Sequence, residues 1–348
     1  MTTIPTPIPF SAAYPGATAA DFEAAKAQAG DAYIPSAFDP KTRVRGGHAR
    51  IARDRVTAEQ SDGQPGFNMF YEVHGTGPRH IAFIMGLNNT CHGWLGQVTE
   101  FGRDERYSVL VFDNRGYSNS ASPKQRYTTT MMADDMLELL DVIGWTEPRS
   151  VYLMGVSMGG MIALELCNRH PERIAGVLLQ STTPGDMTNL PGVSATMTFT
   201  RLFSGAVFGT SEPEDRALTM IRLMFPKEWL EQPDEDDPER RTHEQVIYHA
   251  FSWRISFLPR PVLTGALSQL AAVLTHRVRA KDLAKIDANI PQIKILTGDK
   301  DAIVSPRHSY RMKSLMPHAE LHVWEGGGHA VHAQFPRRYN GFLHDWLD

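Results

Sequence analysis

Cysteine is almost missing from the 348 residues: Cys91 and Cys167 are the whole supply. Two thiols so far apart in sequence do not make a disulfide framework, so the chain relies on its core and both thiols are expected to be free. Also missing is any apolar run of the length that a bilayer crossing demands, so no membrane span is expected. The segment MTTIPTPIPFSAAYPGATAA at residues 1–20 carries no basic residue and is broken by prolines. It reads neither as a secretory signal nor as an Arg-rich transit peptide, and a cytoplasmic location is expected. Positive charge is not in excess either. Lys and Arg number 35 against 39 Asp and Glu, a formal charge of −4, so a nucleic-acid partner is not expected.

What is present is ordinary core material, 42% hydrophobic and 21% charged, enough for a sizeable α/β body. Short apolar runs alternate with helix-period segments. HARIARDRVT and FNMFYEVHG read as a hairpin, and HIAFIMG, SVLVFDNRG, SVYLMGV, IAGVLLQST, IKILTGD and ELHVWEG as further strands. GWLGQVTEFGRD, TMMADDMLELLDVIGW, GGMIALELCNRHPERI, SYRMKSLM and RRYNGFLHDWLD read as helices. Such alternation predicts an α/β fold with a mostly parallel sheet and helices on both faces.

The alternation fails in two places. Residues 1–44 hold prolines and one Ala-rich helical stretch, ATAADFEAAKAQAG, and read as an N-terminal arm. Three roles are open to it: bracing the body, covering a pocket, or forming a homodimer contact. Residues 184–288 contain the helix-like segments TMTFTRLF, PEDRALTMIRLMF, HEQVIYHAFSWRI and LTGALSQLAAVL, with the acidic surface turn EQPDEDDPERR between them. Their Met, Phe, Leu and Trp content predicts a helical cap, or lid, over the carboxyl edge of the sheet. The core then comprises residues 45–183 and 289–348.

Within that core, YLMGVSMGGMIAL sets Ser157 between two glycines where a strand pattern meets a helix pattern. This is the context required of a G-x-S-x-G elbow, in which the hydroxyl projects from a sharp strand-to-helix corner. A side chain at Gly155 or Gly159 would collide with the neighbouring elements, and glycine accepts the angles of the corner. The helix that follows points its unpaired N–H groups at charge developing near the serine.

A serine hydroxyl becomes a nucleophile only when a base takes its proton, and the base needs an acid to hold its tautomer. Asp301, in ILTGDKDAIVSP, and His329, in VWEGGGHAVHAQFP, follow the next two strands and give the chain order Ser, Asp, His. Asp299 and Asp186 compete for the acid role, and His332 for the base. His329 and His332 lack an acidic or thiol partner at ligand spacing, so no metal is expected, and the chemistry implies no cofactor. Two backbone donors are then needed for the oxyanion; the N–H groups of Met158 and Leu87 are the candidates. Asn88 and Asn89 beside them read as turn formers.

Taken together, these segments resemble the α/β-hydrolase superfamily in its lid-bearing serine-hydrolase branch. MGLNNTCHGW stands at the place of the oxyanion loop, VFDNRGYSNS is similar to the D-x-R-G-x-G-x-S segment, GVSMGGMIALELCNRHPERIAGVLLQST matches the elbow and its following strand, and GDKD with GGGHA match the acid and base signatures. The likeness covers roughly residues 65–348. Two departures stand out: Met85 replaces the usual histidine before Gly86, and Ser118 takes the place of the second glycine. The resemblance implies an esterase or enol-lactonase acting on an ester or lactone-like bond of a small, partly apolar substrate through an acyl-enzyme. Dehalogenases and epoxide hydrolases of this fold carry aspartate at the elbow, so Ser157 argues against both. Carbon–carbon bond hydrolases and cofactor-free peroxidases keep the same triad and stay open. So does a ligand-binding receptor built on a hydrolase body.

Overall fold

The computed structural model describes residues 18–56, 63–185 and 213–348. Within them eight strands form one sheet: β1 (Arg43–Ile51), β2 (Phe67–His74), β3 (Arg79–Ile84), β4 (Tyr107–Phe112), β5 (Val151–Val156), β6 (Ile174–Gln180), β7 (Ile293–Gly298) and β8 (Glu320–Trp324). Their order across the sheet is β1-β2-β4-β3-β5-β6-β7-β8. β1 pairs with β2, and β2 with β4, in antiparallel fashion, and the remaining neighbours run parallel. The mostly parallel sheet expected from the alternation is therefore present, with the expected hairpin at its edge. β1 begins at Arg43, ahead of His48 where the apolar pattern starts. The extra residues, RVRGG, show no alternation and pair through their backbones with the end of β2.

In the central strands the apolar runs do two jobs at once. Successive side chains point to opposite faces, and β4 divides accordingly. Leu110 and Phe112 join Ala82, Ile84, Leu153 and Leu179 in one cluster, whereas Val109 and Val111 join Ile81, Phe83, Met154 and Leu178 in another. A sheet buried on both faces requires this continuous hydrophobicity.

Among the described residues the α-helices are α1 (Ala19–Ala29), α2 (Leu95–Phe101), α3 (Thr129–Ile143), α4 (Met158–Arg169), α5 (Pro213–Met224), α6 (Lys227–Leu230), α7 (His243–Phe257), α8 (Leu263–Thr275), α9 (Ala280–Asn289), α10 (Arg307–Leu315), α11 (Val331–Gln334) and α12 (Pro336–Leu347). Helix α3 shows how the sequence sets such an element. Thr128 caps its first turn by accepting the Met131 N–H, Gly144 ends it at φ 83°, and Met132, Met136, Leu139 and Leu140 form the buried stripe. Apolar residues of α3, α4, α9 and α10 cover one face, and those of α2 and α12 cover the other. None of the described helices is long and apolar enough to cross a membrane.

Between β6 and β7 the described helices are α5 to α9, where three of the four helix-like segments were expected; the fourth, TMTFTRLF, lies outside the described residues. α9 sets Leu283 and Ile286 into the cluster beneath α4 and so belongs to the layer on the sheet. α8 comes close to the turn after β4: a β-carbon on Gly265 would collide with the carbonyl of Gly116. The segment after α1 is no loose extension either, since Phe38 is buried in the same cluster as Phe83 and Trp94.

Two features of that turn after β4 carry expected results. Ser118, at the place of the usual second glycine, adopts φ 54°, a region costly for any residue with a β-carbon, and its hydroxyl is buried without a partner. Ser118→Gly should therefore raise the unfolding free energy by about 1 kcal/mol, read as a higher denaturation midpoint with unchanged slope. A lowered midpoint would contradict this account.

Beside it, fully buried Arg115 makes a forked pair with Asp135, Nε to Oδ2 at 2.5 Å and Nη2 to Oδ1 at 2.6 Å, and lies between the rings of Phe67 and Tyr127. Asp135→Ala leaves that cation buried without its partner. The expected loss is about 3–5 kcal/mol, measured by chemical denaturation.

Candidate active site

Ser157 sits at the corner between β5 and α4 with φ 56° and ψ −121°. Such an angle in a non-glycine residue holds strain of about 1–3 kcal/mol and persists only where neighbours enforce it. Enforcement is visible here. The Ser157 N–H donates to the Gln180 carbonyl at 2.9 Å, and its own carbonyl accepts from Gly160 N–H, Met161 N–H and the Thr182 hydroxyl. Added β-carbons at Gly155 and Gly159 would collide with the Gly159 and Ile84 carbonyls. The corner can be this tight only with glycine at both positions.

Two strands along, the Asp301 carboxylate meets His329: Nδ1 lies 2.9 Å from Oδ2 and 3.1 Å from Oδ1. Both residues are buried. Asp301 Oδ1 also accepts the N–H groups of Ile303 and Val304, each at 2.9 Å, which fixes the carboxylate before any substrate arrives. The competing acid Asp299 is exposed, and Asp186 lies outside the described residues. His332 is separate from the pair. Its Nδ1 accepts from Gln180 Nε2 at 2.9 Å, its ring packs on Trp94, and burial drives its pKa down to about 3. It remains neutral at any ordinary pH.

Ser157 and His329 share no hydrogen bond among the described residues, but both hang on one residue. Gln180 takes the Ser157 N–H on its carbonyl and sends its amide to the His329 carbonyl at 3.5 Å as well as to His332. The sequence reading passed over Gln180; its only signal was a polar residue closing an apolar strand. The His329 N–H in turn donates to the Met224 carbonyl at 2.8 Å, so the end of α5 holds the histidine turn from outside.

The loop after β3 passes directly against the serine. A β-carbon on Gly86 would stand 3.2 Å from Ser157 Cβ, so the backbone leading to Leu87 runs alongside the hydroxyl. Met158 heads α4, whose opening N–H groups have no partner inside the helix. Side chains the sequence did not single out define this loop. Asn114 Nδ2 donates to the Met85 carbonyl at 2.9 Å, and Gln269 of α8 accepts the Asn88 N–H at 2.9 Å while donating to the Arg115 carbonyl. Asn88 adopts φ 49°, and Asn89 takes the Thr90 N–H on its side chain, both consistent with turn formers. Met85, in place of the usual histidine, is buried with its methyl group over Gly93. Among the described residues no three His, Cys, Asp or Glu side chains converge as metal ligands.

Comparisons with known proteins agree with this fold. The curated relative "Putative carbamate hydrolase RutD" of Caulobacter vibrioides is 24% identical over 298 residues, 84% of this chain and 98% of its own. An esterase from Thermogutta terrifontis superposes with a TM-score of 0.63 at 22% identity, covering 86% of this chain and 97% of its own. The enol-lactonase from Burkholderia xenovorans superposes at 0.64 and 19%, covering 81% and 96%. A bromoperoxidase from Bacillus anthracis gives 0.65 and 21%, covering 87% and 99%. At these identities the solved structures establish a shared fold alone. The sequence model of the alpha/beta hydrolase fold family matches residues 79–336, from the start of β3 past His329 and well over half of the chain, and the chain belongs to that family.

Proposed function

We propose that this chain is a serine hydrolase that cleaves an ester or lactone-like bond of a small, partly apolar substrate through an acyl-enzyme. The observation that carries the reading is the buried Asp301–His329 pair, linked through Gln180 to a serine held at a positive φ. In this reading Ser157 Oγ attacks the carbonyl carbon while His329 Nε2 takes its proton. The oxyanion that forms accepts from the N–H groups of Leu87 and Met158, aimed at it before the reaction begins. Collapse expels the leaving group, which recovers the proton from His329. Water, deprotonated by the same histidine, then attacks the acyl-enzyme and releases the acid and free Ser157. Asp301 keeps the His329 proton on Nδ1 throughout.

Helices α5 to α8 act as the cap of this site, with residues 18–42 bracing the body. The end of α5 at His329 and the Gln269 contact of α8 support the first assignment, and buried Phe38 supports the second. The test is the intact-protein mass after incubation with a fluorophosphonate, together with turnover of short- and medium-chain p-nitrophenyl esters. One adduct on the parent, none on Ser157→Ala, and ester turnover are expected. A folded parent that stays unlabelled and turns over no ester would overturn the reading.

A further inference from the structure

Arg254 lies in the last turn of α7 and is half-buried. Its Nη1 donates to the His92 carbonyl at 3.0 Å, and its guanidinium stands 6.0 Å from the Phe251 ring. No Asp or Glu pairs with it among the described residues. Other arginines behave in the opposite manner: Glu244 holds the pKa of Arg222 up, and Asp237 does the same for Arg241. Burial instead brings Arg254 down to about 10, with Tyr117 opposing the shift. A charge partly removed from water, with no counter-charge among the described residues, is costly and needs an explanation.

The residue before Arg254 carries a donor that is also unmatched. Trp253 Nε1 is buried without a hydrogen-bond partner. The Trp253 ring packs on Phe257, which reaches the ring of His92. His92 itself stands in the turn Cys91–Trp94, directly after the loop that passes Ser157. The charged groups facing Tyr117 are Asp113 and Arg254. Asp113 is already engaged by the Thr90 hydroxyl and the N–H groups of Cys91 and Asn119. Among the described residues this leaves Arg254 as a cation without a carboxylate partner, next to the loop of the proposed active site.

We infer that Arg254 binds a carboxylate carried by the substrate, so that the bond cleaved belongs to an ester or lactone that also bears a free acid. The inference rests on the hydrolase reading above and narrows its substrate class. A single guanidinium fork matches one carboxylate, which takes two parallel N–H bonds. A phosphate dianion would call for a second cation.

The test compares ethyl half-esters of linear dicarboxylic acids, from succinate to suberate, with neutral ethyl esters of the same chain length. At the best length the acid-ended ester should be favoured in kcat/KM by about 10- to 100-fold, the worth of one hydrogen-bonded charge pair. Arg254→Met should bring the ratio of acid-ended to neutral ester close to one, with the loss in KM rather than kcat, and Arg254→Lys should restore part of it. A parent ratio near one at every length overturns the inference and leaves the hydrolase reading intact. An Arg254→Met variant that retains the parent ratio also overturns it and assigns Arg254 to holding the His92 turn. Calorimetric binding of the free dicarboxylates to Ser157→Ala protein needs no turnover and answers separately. Binding there, weakened in the Ser157→Ala/Arg254→Lys protein, supports the site even if the parent hydrolyses nothing, and no binding at any length overturns it.

Discussion

Replacing Asp301 by asparagine is expected to lower kcat about ten-thousand-fold while the protein stays folded. One carboxylate oxygen takes the N–H groups of Ile303 and Val304, and the carboxylate also accepts from His329 Nδ1. Asparagine has one acceptor oxygen, which the two backbone donors claim. Its NH2 then faces His329 and forces Nδ1 to accept. The ring proton moves to Nε2, where the lone pair needed by Ser157 should be, so general-base catalysis stops although every atom is close to its place. Equal thermal midpoints for parent and variant, with turnover measured on the same ester, separate this effect from unfolding. A variant retaining a tenth or more of the parent kcat would assign the acid role to another residue, Asp186 being the first to examine.

The second large effect concerns the serine itself. Ser157→Ala should reduce kcat by about a million-fold, and His329→Ala by a similar amount. The informative variant is the pair. Groups that act as one unit are lost once, so Ser157→Ala/His329→Ala should be hardly slower than either single variant. Multiplied losses would mean that the two side chains contribute to separate steps. Whatever rate remains in the double variant measures binding and the backbone donors alone. Single-turnover kinetics at high enzyme concentration are suited to a rate this low.

The strands could be read from the sequence because parallel strands buried on both faces must be apolar at every position, and YSVLVF and IAGVLLQ have little else to become. The elbow could be read for a related reason: glycines at 155 and 159 answer local geometry, and local geometry leaves a spacing. The supporting polar residues leave none. Gln180, Asn114 and Gln269 each reach a backbone group far away in sequence, and a solitary amide in an apolar stretch looks the same whether it meets His329, Met85 or nothing. The charge of Arg254 is harder still, since what marks it is the lack of a carboxylate neighbour among the described residues. The segment AKDLAKIDAN fell inside the interval assigned to the cap, yet Leu283 and Ile286 bury it against the sheet, because a helix of that amphipathicity packs wherever an apolar face is offered.

The contact of α8 with the turn after β4 divides the cap into unlike parts. Gly265 lies against Gly116 without room for a β-carbon, and from the same helix Gln269 holds both the Asn88 N–H and the Arg115 carbonyl. Swinging α8 outward would strip an acceptor from the loop that passes Ser157 and leave its half-buried N–H bare, at a cost of about 1 kcal/mol. In the proposed cap α8 is thus a door post, pinned through Gln269 to the loop that passes Ser157 and through Gly265 to the turn after β4.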